Sequence, residues 1–184
     1  IGVYVGTFDP PHAGHEQVIE AARKQMGLDI IYVLPNTDTS HKPNASSFKE
    51  RKAMAHMAFF RDGIIVADPR VMGPFRREGI ESAMRYLFDS YEGGTEFVRL
   101  MGDDSFNYYG KVKSGFTHPT MTFAVMDREG LELPKTVGQS PVARLDTKDL
   151  GLSSTLMRAS IARNVRPPQL NEGVWKYIQD QKLY

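Results

Sequence analysis

The stretch Gly6-Thr7-Phe8-Asp9-Pro10-Pro11-His12-Ala13-Gly14-His15 decides the fold. An apolar run, residues 1–5, precedes it and an amphipathic segment follows. The pattern predicts a strand, a turn marked by glycine and proline, and a helix N-terminus. The turn gathers two histidines, a glycine and several backbone N–H groups where a first strand hands over to a first helix. In an open α/β sheet that position binds anionic nucleotides. Residue chemistry alone makes this a phosphate site with two imidazoles, which can serve as acids, bases or charge-bearing donors, or bind a metal.

Working outward, Val18, Ile19, Ala22 and Met26 recur at helical spacing, which predicts a helix over 14–25 ended by Gly27. Residues 29–34, apolar from Ile30 onward and closed by Pro35, have the pattern of a buried parallel strand. Strand, helix and strand make a βαβ unit with a right-handed crossover. Residues 36–47 are polar and read as a loop carrying His41 and Lys42. A helix is expected over 48–60, with Met54, Met57 and Ala58 offered to the core. A third strand follows over 63–67, then a basic loop, 69–78, with Arg70, Arg76 and Arg77.

Ile80, Met84, Leu87, Phe88 and Tyr91 form the next helical stripe, ended by Gly93-Gly94. A fourth strand over 96–101 leads into Gly102-Asp103-Asp104-Ser105. A fifth, 120–126, ends near Asp127-Arg128, and a short sixth is expected over 141–145. Ser153-Ser154-Thr155 opens a helix through about 163, and Asn171 caps a last one holding Val174, Tyr177 and Ile178. The expected architecture is α/β, a doubly wound parallel sheet with a helical C-terminal end, in one domain over 1–184.

Composition narrows the function. The 184 residues are 41% hydrophobic, enough for one real core. With 23 basic and 22 acidic residues the net charge is +1, so neither nucleic acid nor a membrane surface is an expected partner. No apolar run approaches the roughly 20 residues of a membrane span. There is no charged-then-apolar leader, and a sequence starting at Ile1 is read as missing its true start; a cytoplasmic location is expected. The absence of cysteine excludes disulfides and thiolate metal sites.

Each motif has a plain alternative. His12 and His15, spaced i and i+3, can simply be polar side chains at a helix start, but Gly14 between them and the glycine turn favour a phosphate site. Zinc is disfavoured, because no nearby set of carboxylates and histidines completes a ligand group. Lys42 is an ordinary solvated lysine unless its loop folds over the phosphate site. Gly102-x-Asp104, at a strand's C-terminal end, is either a capped turn or a ribose acceptor. Ser153-Ser154-Thr155-x-x-Arg158 is either an N-cap or a second anion site of hydroxyls, N–H groups and a guanidinium.

Together, Gly6-x-Phe8-Asp9-Pro10-x-His12-x-Gly14-His15 and Ser153-Ser154-Thr155-x-x-Arg158 resemble the paired signatures of the HxGH nucleotidyltransferase superfamily. Within it the chain is most similar to bacterial nicotinate (nicotinamide) mononucleotide adenylyltransferases. The His41-Lys42 loop, Gly102-x-Asp104, Arg128 and the ending Val174-x-x-Tyr177-Ile178 to Leu183-Tyr184 fit that branch. Three positions depart from it. Val5 stands where the family usually has a second glycine. A tryptophan against the pyridine ring is replaced near Val112. Arg77-Glu78-Gly79-Ile80-Glu81-Ser82 replaces the Tyr-Thr and Asp-Thr pattern before the third main helix.

The resemblance implies a Rossmann-like fold and adenylyl transfer from ATP to a pyridine mononucleotide. It implies that His12, His15, Lys42 and Arg158 are catalytic. It implies ATP binding by Gly6, Thr7, Phe8, His12, Gly14, His15, Gly102, Asp104, Ser153, Ser154, Thr155 and Arg158. His41, Lys42 and Arg128 would face the acceptor. Mg²⁺ is expected to arrive with ATP, with no metal site built by the protein. The implied partners are ATP and a mononucleotide, and the pattern sets no oligomeric state. The competing expectations are another phosphate acceptor within the superfamily, or a nucleotide-binding sensor without turnover.

Overall fold

The computed structural model describes residues 1–184 except 41, 73–78, 103–104, 108–116, 127–131 and 149. The strands are β1 (Gly2–Gly6), β2 (Ile31–Pro35), β3 (Ile64–Val66), β4 (Phe97–Gly102), β5 (Met121–Met126), β6 (Thr136–Val137) and β7 (Ser140–Leu145). The helices are α1 (Ala13–Met26), α2 (Phe48–Phe59), α3 (Gly79–Ser90), α4 (Ser154–Ile161) and α5 (Glu172–Gln181). A 3-10 turn, Pro69–Val71, follows β3.

The strands form one seven-stranded sheet in the order β3-β2-β1-β4-β5-β7-β6. All pairings are parallel except β6 with β7. The doubly wound sheet expected from the apolar runs is therefore present, with an added hairpin strand. The run 136–137 is too short and too exposed to announce itself; its pairing with β7, Thr136 opposite Pro141, makes it a strand.

Period-two alternation sends each strand's side chains to two separate cores. On one face Tyr4, Ile31, Val33, Val98, Leu100 and Ala124 meet Val18 and Ile19 of α1, Met54 and Phe59 of α2, Met157 of α4 and Val174 and Ile178 of α5. On the other, Val3, Leu34, Phe97, Met101, Phe123 and Val125 meet Met84 and Leu87 of α3. Helix α2 buries Arg51, Met54, Ala55, Ala58 and Phe59. Met57, expected in the core, is 43% exposed, because the i, i+3, i+4 stripe passes it by.

The order places β1 beside β2 on one side and β4 on the other. The chain leaves β1 through α1 toward β2, but reaches β4 through a crossover to the opposite direction along the sheet. The β1–β4 boundary is a topological switch point, and the histidine turn sits at its carboxyl end. The register aligns Tyr4 with Leu100, which brings Gly102, at the end of β4, level with the end of β1.

Candidate active site

The turn after β1 is shaped by Phe8. Its backbone adopts φ 53°, and its ring folds back beneath Gly6, buried to 1% exposure. A Cβ at Gly6 would lie 2.6 Å from that ring, so glycine is required there for space. Phe8 stands edge-on to Tyr4 and Phe59, and edge-on to His15 at 5.2 Å between centroids. What Phe8 offers the site is its backbone and the support of His15. Val5, in place of the family's second glycine, packs against the α3-side core.

His12 is the N-cap of α1. Its Nδ1 accepts from the Gly14 N–H at 3.2 Å, and the His12 N–H donates to Nδ1 of His15 at 3.2 Å. This reciprocal capping box uses two imidazoles where serine and glutamate usually serve. With Nδ1 of each ring accepting, the proton of each neutral imidazole sits on Nε2, which makes Nε2–H the donor. The rings lie 3.9 Å apart and tilted by 40°. A Cβ on Gly14 would stand 3.0 Å from the His12 ring, so the glycine keeps that ring in place.

The second motif meets the first. Ser153 caps α4, its Oγ accepting from the Leu156 N–H at 3.2 Å. Ser154 Oγ donates to the Pro10 carbonyl at 2.9 Å. Arg158 Nη1 donates to the Asp9 carbonyl at 2.7 Å, and Nη2 donates to Thr155 Oγ1 at 3.3 Å. The N-termini of α1 and α4 thus converge on one turn, and their dipoles favour an anion there.

Lys42 reaches the same place. Its Nζ donates to Thr7 Oγ1 at 3.0 Å. The loop carrying it is held at its neck by Arg51, a guanidinium 1% exposed. Arg51 Nη1 donates to the carbonyls of Thr7 and Asn36 at 3.0 and 2.9 Å, and Nε donates to the Ser46 carbonyl at 2.9 Å. Burial lowers the Arg51 pKa, and the Asp9 carboxylate works against that shift. Asp9, Lys42, Pro43, Asn44, Ala45 and Arg158 line a cleft of about 160 Å³, with two cations facing it.

The sequence-predicted residues Gly6, Thr7, His12, Gly14, His15, Lys42, Ser153, Ser154, Thr155 and Arg158 therefore surround one turn, and Gly102 ends the strand beside it. His41, Asp104 and Arg128 lie outside the described residues, as does Val112. Within the stretch 77–82, α3 begins at Gly79 with φ 69°, and Glu81 in its first turn pairs with the buried Arg99 of β4 at 3.4 Å. Sequence reasoning missed the organising roles of Asp9 and Arg51. The signal for Arg51 was present: it occupies the first position of the buried stripe of α2, where a charge needs a buried purpose.

A model of the cytidylyltransferase-like family matches residues 3–160. A probable nicotinate-nucleotide adenylyltransferase of Bacillus pumilus is 31% identical, over 100% of this chain and 97% of that one. A protein of the same description from Listeria monocytogenes is 28% identical, over 100% and 96%. Among solved structures, Plasmodium falciparum nicotinic acid mononucleotide adenylyltransferase complexed with NaAD has the same fold. Its TM-score is 0.67, with 15% identity over 100% of this chain and 96% of that one. The same enzyme complexed with APC gives 0.69 at 14% identity, over 100% and 96%.

Proposed function

The chain belongs to the cytidylyltransferase-like family, among the nicotinate-nucleotide adenylyltransferases, and on that premise we propose that it transfers the adenylyl group of ATP to a pyridine mononucleotide in NAD biosynthesis. A phosphate oxygen of the acceptor bonds to the α-phosphorus of ATP. The bond from that phosphorus to the β-phosphate bridging oxygen breaks, and pyrophosphate leaves as a dinucleotide forms.

One observation carries this reading. Two helix N-termini, the imidazoles of His12 and His15, and the cations of Lys42 and Arg158 converge at the carboxyl end of β1, beside the switch point. The acceptor phosphate is already an anion, because a phosphate monoester's second pKa is about 6. No side-chain nucleophile is needed. The protein's work is to align two phosphates that repel each other and to stabilise the charge that builds on the leaving one. The Nε2–H groups of His12 and His15 donate to phosphate oxygens, while Lys42 and Arg158 hold the polyphosphate. Ser153, Ser154 and Thr155 contribute hydroxyls and N–H groups. Gly102 with Asp104 serves the adenosine, and His41 and Arg128 serve the acceptor.

Among the described residues, no group of three or more histidines and carboxylates is placed to hold a metal. The Mg²⁺ of this reaction is read as part of the MgATP substrate, coordinated through phosphate oxygens and water. Among the described residues, no helix is long and apolar enough to cross a membrane. The proposed setting is the cytoplasm, with residues 1–184 acting as one catalytic domain.

The test is pyrophosphate release from MgATP with a panel of acceptors: nicotinate mononucleotide, nicotinamide mononucleotide, FMN and phosphopantetheine. Release with a pyridine mononucleotide is expected. Release only with another acceptor, or ATP binding without release from any, would overturn the reading.

A further inference from the structure

Asp9 is a buried carboxylate, 2% exposed, whose partners come from three distant parts of the chain. Tyr184 donates its hydroxyl to Oδ1 at 2.5 Å. The Ser46 N–H is shared between Oδ1 and Oδ2 at 3.3 and 3.2 Å. Arg158 Nη1 stands 3.8 Å from Oδ2, while it donates at 2.7 Å to the backbone carbonyl of the same residue. Ser46 is gripped twice, since its carbonyl also accepts from Arg51 Nε at 2.9 Å.

The approach of Tyr184 is constructed. Helix α5 ends at Lys182, which adopts φ 51° and turns the chain back. A left-handed backbone is disfavoured for a non-glycine residue, so contacts beyond the turn must hold it. Leu183 supplies one, its N–H donating to the Ile178 carbonyl at 3.0 Å while its side chain packs on the first core. The hydroxyl of Tyr184 on Asp9 supplies the next. Burial and the bond to Asp9 raise the tyrosine's pKa, which keeps the hydroxyl protonated and donating.

On the reading given under Proposed function, we infer that Tyr184 is a positioning residue for the phosphate clamp: through Asp9 it sets both the base of the Lys42 loop and the guanidinium of Arg158. The physical reason is competition for one carboxylate. A buried carboxylate must be satisfied by donors. With Tyr184 donating to Oδ1, Asp9 holds the Ser46 N–H and leaves Arg158 beyond hydrogen-bond distance of Oδ2. Without that hydroxyl, Arg158, the cation already standing 3.8 Å from Oδ2, can take its place. The guanidinium would close on Asp9 and withdraw from phosphate, and the carboxylate would turn away from Ser46, loosening the segment that carries Lys42.

The test uses Tyr184→Phe, which keeps the ring and removes only the hydroxyl. In hydrogen–deuterium exchange on the ligand-free protein, amides of residues 44–47 should exchange about ten-fold faster in the variant, the factor carried by one hydrogen bond to a buried carboxylate, with the core of α2 unchanged. In turnover, the KM for ATP should rise about ten-fold, with the acceptor KM within about two-fold of the parent. In an Asp9→Asn background the same substitution should add little, because the group it acts through is altered. Unchanged exchange at 44–47 would overturn the inference. So would an ATP KM effect that persists in full beside Asp9→Asn. The exchange experiment needs no turnover. A parent protein inactive with every pyridine mononucleotide would therefore count against the proposed function alone, and the exchange result would still decide the role of Tyr184.

Discussion

The ammonium of Lys42 donates to Oγ1 of Thr7 at 3.0 Å across thirty-five positions of sequence, so the loop after β2 rests on the turn after β1. A lysine in a polar loop is ordinarily solvated. Here the neck formed by Arg51, whose guanidinium donates to the carbonyls of Asn36 and Ser46, delivers the charge to the turn after β1.

Lys42→Ala should raise the KM for ATP about ten-fold, the cost of one charge-assisted contact. Lys42→Arg should recover part of that loss. The parent's ATP affinity should also weaken more steeply with added salt than the variant's, because one cation fewer faces the polyphosphate. Steady-state kinetics at low and high ionic strength check this, and equal salt slopes would place Lys42 in solvent during turnover.

His15→Ala removes both the proposed phosphate donor and the acceptor for the His12 N–H. Turnover should fall at least about 100-fold, as for loss of one donor to a developing anion. The lost cap should cost about 1 kcal/mol, or roughly 2–4 °C in Tm for a chain of this size. Rates within a few-fold of the parent, measured on protein that melts within this range, would remove His15 from the chemistry.

Gly6→Ala should destabilise the fold by about 1–3 kcal/mol, the usual range for overpacking, because its Cβ meets the Phe8 ring at 2.6 Å. Adding Phe8→Leu should return part of that loss in urea unfolding, since the two share one space. Additive penalties would mean that the clash lies elsewhere.

Asp68 gives a pH signature. Hydrogen bonds from the Arg70 guanidinium, its backbone N–H and Lys52 hold its carboxyl down to about 2. Arg70 also stacks over Phe48 at 3.9 Å. Because the folded pKa lies below the unfolded value of about 3.9, the contribution is complete above that value and is lost as pH falls toward 2. Asp68→Asn should therefore lower stability at pH 7 by about 1–2 kcal/mol, allowing for its half-exposed partners. The gap between parent and variant, read from urea midpoints, should narrow below about pH 4. A gap that holds constant down to pH 3 would show that the carboxylate's charge is not its source.

The legible parts of this molecule are those whose physics is local. The runs at 1–5 and 30–34 are apolar because β1 and β2 are largely buried on both faces, and no helical period explains them. The pairing of His12, Gly14 and His15 at a helix N-terminus is equally local, since capping is decided within one turn. The helical stripe of α2 was legible at Met54 and Ala58, which are buried, while Met57 is exposed and Phe59 fills the core instead. Strand β6 was not legible, because two residues become a strand only when a hairpin partner supplies the hydrogen bonds.

Sequence alone determined the succession of every strand but β6, the helices between them, the histidine turn after β1 and the two signature motifs, since backbone sterics, apolar periodicity and capping act over a few residues. The tertiary structure decided what those motifs become together. The strand order put β4 beside β1 and so made the switch point. The docking of α4 on the turn before α1 brought Arg158 to Asp9, and the return of the chain after α5 brought Tyr184 to the same carboxylate. These links join residues up to 175 positions apart. They depend on the burial of one charge and the shared need for its hydrogen bonds, which no local spacing encodes.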